Sequence, residues 1–390
     1  MAAAPLGLAG GPAVARVRRP VNWALRILAM LVIAFFGLLT LLVVGLEVGP
    51  VAFLIGLVMA VLPVPGYLAL ALWIDRYEPE PIFMAVTTFL WGAAVAVFVA
   101  LLLNTIGELI VSSELGKEAG EIYGYSISAP IVEESAKAAV LFIIFWWKRD
   151  EFDGVIDGIV YAALVGLGFA MTENVLYYGK GAVEAGVVGA AGTFAVRGLL
   201  SPFLHPLFTC MTGLGLGFAA VSTKRWVRVC APIAGLLAAI LLHSLWNSSA
   251  SSVLLIGVYF LFFLPVLGAI IAVVAMALRR EGNIVRQYLP QDVGRGLFTP
   301  AEVSQLSSVE GRIGASWEAR RRGGWRGWRL HREYQSLATE LAFDRHKVVR
   351  GLAQGGEQAA QREAWYFHRL RELKPLVASP AGPEAPGAVL

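Results

Sequence analysis

Eight stretches of this chain stay apolar for about 20 residues at a time, the length a helix needs to cross the hydrocarbon of a bilayer. They fall near residues 25–46, 51–74, 82–103, 127–147, 154–178, 202–221, 229–247 and 253–278. Inside lipid the backbone must satisfy its own hydrogen bonds, so each run is expected to be a helix. The expected fold is therefore all-α, a polytopic membrane bundle of about eight transmembrane helices. The first run is too long for a signal-peptide core, has no small-residue cleavage site and is followed almost at once by the next span, so it is expected to be retained.

Composition agrees with this. The 390 residues are 57% hydrophobic and 15% charged, whereas a soluble domain is roughly one quarter charged, which excludes an ordinary soluble enzyme. Residues 1–278 hold 14 Lys/Arg against 16 Asp/Glu, a net of −2, and residues 279–390 hold 18 against 12, a net of +6. The division this suggests is an N-terminal cytoplasmic segment (1–24), a membrane core (25–278), a basic cytoplasmic helical tail (279–378) and a disordered Pro/Ala/Gly-rich C-terminus (379–390). Cys210 and Cys230 both lie in apolar stretches, which excludes a disulfide framework or a CxxC metal knuckle.

Basic residues accumulate in cytoplasmic loops. With the N-terminus inside, the cytoplasmic segments carry Arg16, Arg18, Arg19, Arg26, Arg76, Lys148, Arg149, Lys224, Arg225, Arg228 and the tail, against Lys117, Lys180 and Arg197 outside. Both termini are expected to be cytoplasmic. In the tail, Thr299-Pro300-Ala301-Glu302 has the form of a capping box. RRRGGWRGWR at 320–329 interleaves arginine with Trp325 and Trp328, a pattern expected to lie on anionic lipid. No nucleic-acid motif accompanies that charge, and no nucleic-acid partner is expected.

A charge deep in a bilayer costs roughly 3 kcal/mol or more, so the ionisable residues within the spans each need a reason. They are Glu133, Glu134, Lys137, Asp157, Glu173, His205 and His243. Asp157 lies within a turn of the inner end of its span and reads as interfacial. Of the other six, Glu133, Glu173, His205 and His243 lie roughly 5–9 Å below the outer ends of spans four to seven at about 1.5 Å per residue, Glu134 and Lys137 continue inward from Glu133, and Asn174 and Asn247 accompany them. Glu133 and Lys137 share a helix face, as do Phe169 with Glu173 and His243 with Asn247, while Glu134 projects about 100° from Glu133.

Such a set can activate water. A desolvated carboxylate can serve as general base near neutral pH, and a histidine or asparagine can donate to the oxyanion formed when a peptide carbonyl is attacked. Alternatively Glu134, Glu173, His205 and His243 could hold a zinc ion, although no HExxH is present. Lys137 would tune the charge of the carboxylate pair and Asn247 would stabilise the oxyanion. The competing class is a proton- or cation-coupled transporter, since carboxylates and histidines in spans also form proton relays. Transporters show inverted repeats and broken helices near mid-membrane, and no repeat is evident here.

At these residues the sequence resembles the PrsW family of intramembrane proteases, related to the group that contains the CAAX prenyl endopeptidases. The resemblance covers about residues 63–247. LPVPGYLALALWIDRYEPEP (62–81) and FLWGA (89–93) are similar to the family's N-terminal signature, and APIVEESAK (129–137) to its EExxK motif. DGIVYAALVGLGFAMTENVLYY (157–178) is similar to its FxxxEN motif, and HPLFT (205–209) and HSLWN (243–247) to its two histidine motifs. The resemblance implies hydrolysis of a peptide bond in or near the transmembrane segment of a membrane-protein substrate, in a bacterial plasma membrane, with Glu133 and Glu134 as the essential pair. Lys137 stands where prenyl endopeptidases have an arginine one residue later, and Glu173 where they have histidine. Those departures favour a substrate of the anti-sigma-factor type over a prenylated tail. Whether the chemistry uses a metal or a glutamate-activated water alone is left open by these residues.

Overall fold

The computed structural model describes residues 23–149, 152–250 and 253–378. Nearly all of the segment expected over 1–24, and the C-terminus expected to be disordered over 379–390, lie outside the described residues. Among the described residues the chain is helical and forms no strand. It divides into two compact units, Trp23–Ala277 and one whose described part is 278–378.

The first unit contains α1 (Trp23–Val48), α2 (Pro50–Val61), α3 (Val64–Ile74), α4 (Ile82–Leu90), α5 (Val97–Leu115), α6 (Lys117–Tyr123), α7 (Ala129–Trp147), α8 (Val155–Phe194), α9 (Leu204–Val221), α10 (Arg225–Ala250) and α11 (Leu255–Val258). The helix α12 (Leu264–Tyr288) contains the boundary between the units. Six helical runs among the described residues are long and apolar enough to cross a membrane. One of them, Val155–Val221, holds the expected fifth and sixth spans together. The expected fourth span is α7, whose Glu133, Glu134 and Lys137 make it too polar to join that set. The third span runs past its expected end at 103 to Leu115, and the second is broken between α2 and α3 at Leu62-Pro63.

α8 is the axis of this unit. Its run is 83% buried over the most apolar window, against 17–39% for the other runs, so those present a lipid-compatible face while the first half of α8, from Ile156 to Leu176, is largely covered. Small residues allow this packing: where α8 meets α9, a Cβ on Gly158 or Gly213 would overlap the carbonyl oxygen of the other. Toward its C-terminal end α8 departs from helical geometry at Ala185 (φ −140°, ψ 26°) and Gly186 (φ 61°, ψ −149°), the second in a region that favours glycine. The chain reverses there. Gly189 packs on Gly181, Phe194 on Tyr178 and Gly198 near the Tyr178 hydroxyl, so residues 187–200 run back antiparallel along α8.

The second unit adds α13 (Pro300–Leu306), α14 (Val309–Val349) and α15 (Glu357–Ala378). The capping box is formed: Thr299 Oγ1 accepts the Glu302 N–H at 3.1 Å and Glu302 Oε2 accepts the Thr299 N–H at 2.6 Å, with Pro300 at the first helical position. α14 is also folded on itself, at Gly323–Gly324 (Gly324 φ 57°). Arg312 donates to Thr339 Oγ1 at 2.8 Å and Ser316 to Gln335 Oε1 at 3.2 Å, which pairs its two halves antiparallel. The second half buries Tyr334, Leu337, Ala338, Leu341 and Ala342, the i, i+3, i+4, i+7, i+8 stripe of an amphipathic helix. Buried Asp292 accepts from Arg345 at 2.6 and 3.2 Å, and Arg345 also reaches Glu363, which joins the turn after α12 to α14 and α15.

Candidate metal centre

α7 begins with a defect that its sequence dictates. Pro130 has no N–H to give to the Ser126 carbonyl four residues back, and residues Gly124–Ser128 widen into a π-turn in which the Ala129 N–H goes to Gly124 O. The carbonyls of Tyr125 and Ser126 are thereby released. Asn247 Nδ2 on α10 donates to Tyr125 O at 2.8 Å, and Ser244 donates its hydroxyl proton to Ser126 O at 2.5 Å. These two bonds fix the register of α10 against α7 and bring His243, one turn before Asn247, onto Glu134. The expected oxyanion donor Asn247 is thus engaged with the main chain.

The carboxylates follow. Glu134, with no exposed surface, accepts three hydrogen bonds: from Lys137 Nζ at 2.8 Å and His243 Nδ1 at 3.1 Å on Oε1, and from the Thr209 hydroxyl at 2.9 Å on Oε2. Glu133 is held more loosely, with Oε2 at 3.3 Å from Lys137 Nζ and 3.9 Å from His243 Nε2. Lys137 is also fully buried, lies over the Phe169 ring at 3.8 Å, and donates to His205 Nδ1 at 3.0 Å.

An ammonium can only donate, so His205 Nδ1 accepts, and the proton of the neutral ring sits on Nε2. That Nε2–H donates to Glu173 Oε2 at 2.8 Å. His243 has the opposite arrangement. Its Nδ1–H goes to the Glu134 carboxylate, which leaves the Nε2 lone pair facing Glu133 Oε2 across the 3.9 Å gap, two acceptors with no proton between them. Phe208 stacks on the His243 ring at 4.9 Å between centroids, and Phe263 and Trp246 continue the aromatic wall.

Glu133, His205 and His243 can each turn one ligand atom into a group whose members lie within 4.8 Å of one another, a set able to hold a metal ion. Two imidazoles and a carboxylate are the donor set of many catalytic zinc sites. A carboxylate behind each imidazole, Glu134 for His243 and Glu173 for His205, is the usual means of orienting ligating histidines. The residues present therefore fit a metal. Of the four ligands expected from the sequence, His205 and His243 stand in this group. Glu134 and Glu173 bond to the other side of the histidines, and Glu133 offers the third donor atom of the group, because adjacent residues on α7 point about 100° apart and packing decides which part of the histidines each one meets.

Residues 80–278 match the family described as PrsW family intramembrane metalloprotease. The chain belongs to this family. Among curated relatives it is 34% identical over 151 residues to Protease PrsW of Geobacillus kaustophilus, covering 39% of this chain and 60% of that protein. It is 34% identical over 152 residues to Protease PrsW of Bacillus subtilis, covering 39% and 62%, and 30% identical over 196 residues to that of Halalkalibacterium halodurans, covering 49% and 81%. The match thus spans about 60% of the length of the first two relatives. No solved structure matches the chain. Family and apolar helices together make this a membrane protein, and the family's metalloprotease description accords with the donor set of the centre.

Three neighbours of the centre are absent from the expected set. Thr209 was legible, one turn after His205 on the same face of α9. Arg197, expected in an outer loop, is folded back by the Gly186 reversal onto Glu173 and onto Asn174 Oδ1, the latter at 2.7 Å. Its signal in the sequence is that no other charged residue occurs between Glu184 and Lys224. Ser244 gave no signal, since its partner is a main-chain carbonyl. Asp157 stays apart from the centre, accepting the Asp153 and Gly154 N–H groups at 2.8 and 2.7 Å at the start of α8.

His205 can approach α8 because residue 166 is glycine: a Cβ there would lie 2.8 Å from Pro206 N and 2.9 Å from His205 O. Gly166→Leu is expected to cost about 1–3 kcal/mol by overpacking and to push the His205 turn outward. Gly192→Leu, on the same helix with nothing within 4 Å of a Cβ, is expected to be neutral. Thermal unfolding of the two variants in detergent checks this. Equal midpoints would show that α9 does not need the close approach.

Proposed function

We propose that this chain is an intramembrane endopeptidase that hydrolyses a peptide bond in or near the transmembrane segment of another membrane protein, a substrate of the anti-sigma-factor type. The observation that carries the reading is the convergence of Glu133, His205 and His243 within 4.8 Å, with a second carboxylate behind each histidine. Zinc is the metal this donor set suits, held by Glu133, His243 Nε2 and the His205 lone pair that Lys137 now occupies. Bound there, zinc would polarise the scissile carbonyl and make water a better nucleophile.

The chain's own groups do the rest. Glu134 keeps His243 with its proton on Nδ1. The aromatic wall of Phe208, Phe263 and Trp246 excludes bulk water, which strengthens every charge interaction inside. The Glu133–Glu134 pair receives the proton of the attacking water and returns it to the departing amine nitrogen, so that acid and base are one carboxylate pair. Lys137, bonded to both carboxylates, balances the charge of the pair before and after transfer.

The purified full chain is expected to cleave a single-span reporter, to stop in the presence of a zinc chelator and to recover when zinc is restored. Glu134→Gln should lose about 100-fold or more in rate, and His243→Ala should also lose bound zinc. Full activity in either variant, or indifference to the chelator, would sink the reading.

The proposed setting is a bacterial plasma membrane with both termini in the cytoplasm and the centre nearer the outer leaflet. In a Cys230→Ser background, cysteines at Lys117 and Lys180 should react with an impermeant thiol reagent in intact cells, and cysteines at Lys148 and Arg225 should not. The reverse pattern would put substrate entry on the inner side.

Anionic lipid is the proposed partner of the second unit. Its basic residues cluster at the turn of the α14 hairpin, where Arg320 lies over the Trp325 ring at 3.8 Å and Trp325 and Trp317 are 61% and 57% exposed. Each such cation near an anionic surface adds about 1 kcal/mol. A fluorophore at position 326 of the full chain should shift to the blue in nanodiscs containing anionic lipid and revert as salt rises. The same spectrum in neutral nanodiscs would exclude lipid as the partner.

A further inference from the structure

The arm that returns along α8 delivers a charge to the centre from outside the four helices that build it. Arg197 Nε donates to Asn174 Oδ1 at 2.7 Å and its Nη2 donates to Glu173 Oε2. The guanidinium lies over the Tyr177 ring at 3.9 Å, so Glu173, Asn174 and Tyr177, neighbours on one stretch of α8, hold it in a fixed plane. Glu173 Oε2 is also the oxygen that accepts from His205 Nε2. Arg197 and His205 thus meet on one atom.

We infer that Arg197 is a positioning residue of this centre: acting through Glu173, it fixes His205 with its proton on Nε2 and its lone pair on Nδ1, toward Lys137 and the ligand group. The fork of the guanidinium fixes the carboxylate plane, and the carboxylate fixes the ring. Without Arg197, Glu173 at 16% side-chain exposure is free to turn toward the open Tyr177 side. His205 Nε2–H then loses its acceptor, and the proton is kept on that nitrogen only by Lys137 at Nδ1, an ammonium that Glu133 and Glu134 also hold. Outer partners of ligating histidines act in this way elsewhere, orienting the ring and choosing its tautomer.

Only the activity half of the test rests on the proteolytic reading. The full chain has five histidines, so its ring nitrogens can be followed by nitrogen-15 magnetic resonance in detergent after chelator treatment, with a His205→Gln sample to identify the His205 signals. Wild type is expected to show the Nε2–H form, and R197K, which keeps the charge without the fork, to retain it in larger part than R197Q. R197Q is expected to show a mixture of both tautomers, to lose about 10- to 100-fold in kcat with KM near wild type, and to be partly rescued by R197K. An unchanged tautomer in R197Q overturns the inference, and so does a wild-type kcat. If R197Q loses helix content, Asn174→Ala, which removes only the amide clamp on the guanidinium, takes its place: a tautomer mixture supports the inference, and an unchanged tautomer or a wild-type kcat overturns it. A wild-type chain that cleaves nothing while the tautomer shift is present overturns the proteolytic reading and leaves the role of Arg197 standing.

Discussion

The Lys137 ammonium is the contact on which the interior of this protein depends. It is wholly buried and bonds to Glu133, Glu134 and His205 at 3.3, 2.8 and 3.0 Å, with the Phe169 ring on its remaining side. One cation therefore offsets two carboxylates on its own helix and orders a histidine from another. An unpaired charge at such a position would cost several kcal/mol, so the packing of α7 against α8 and α9 favours the arrangement that closes this set. The polar groups that look most out of place in a membrane helix thus specify how its neighbours must sit.

The eight apolar runs, and the four helices that carry ionisable residues, are legible in the sequence because length and hydropathy alone define a span. The convergence of Glu133, Glu134, Lys137, Glu173, His205 and His243 was also legible, through depth and helical period. Three features were not. Sequence distance hides the pairing of Arg197 with Glu173, because it depends on a reversal at Ala185–Gly186 that lies inside one continuous apolar stretch. Which ring nitrogen of His243 each of Glu133 and Glu134 meets depends on the rotation of α7, which hydropathy does not fix. The merging of two spans into Val155–Val221 escaped because a returning helical arm and an outer loop have the same composition.

The histidines show how one side chain is given two functions by its neighbours. His205 and His243 lie 5.3 Å apart between ring centroids and nearly perpendicular. His243 has a carboxylate on Nδ1 and so exposes Nε2, whereas His205 has a carboxylate on Nε2 and so exposes Nδ1. Opposite tautomers let two rings approach one point from two helices without their protons colliding. Glu134 and Glu173, together with the Lys137 ammonium on His205 Nδ1, determine this.

The proline at the start of α7 has a consequence of another kind. The bonds from Asn247 and Ser244 end on the carbonyls of Tyr125 and Ser126, groups that every amino acid possesses. A side-chain acceptor can be removed by a single codon change, but a main-chain acceptor cannot. The seam between α7 and α10 is therefore indifferent to the identity of residues 125 and 126 as far as these two bonds go. It is written instead into Pro130, which deletes one amide proton, and into the two donors that answer it.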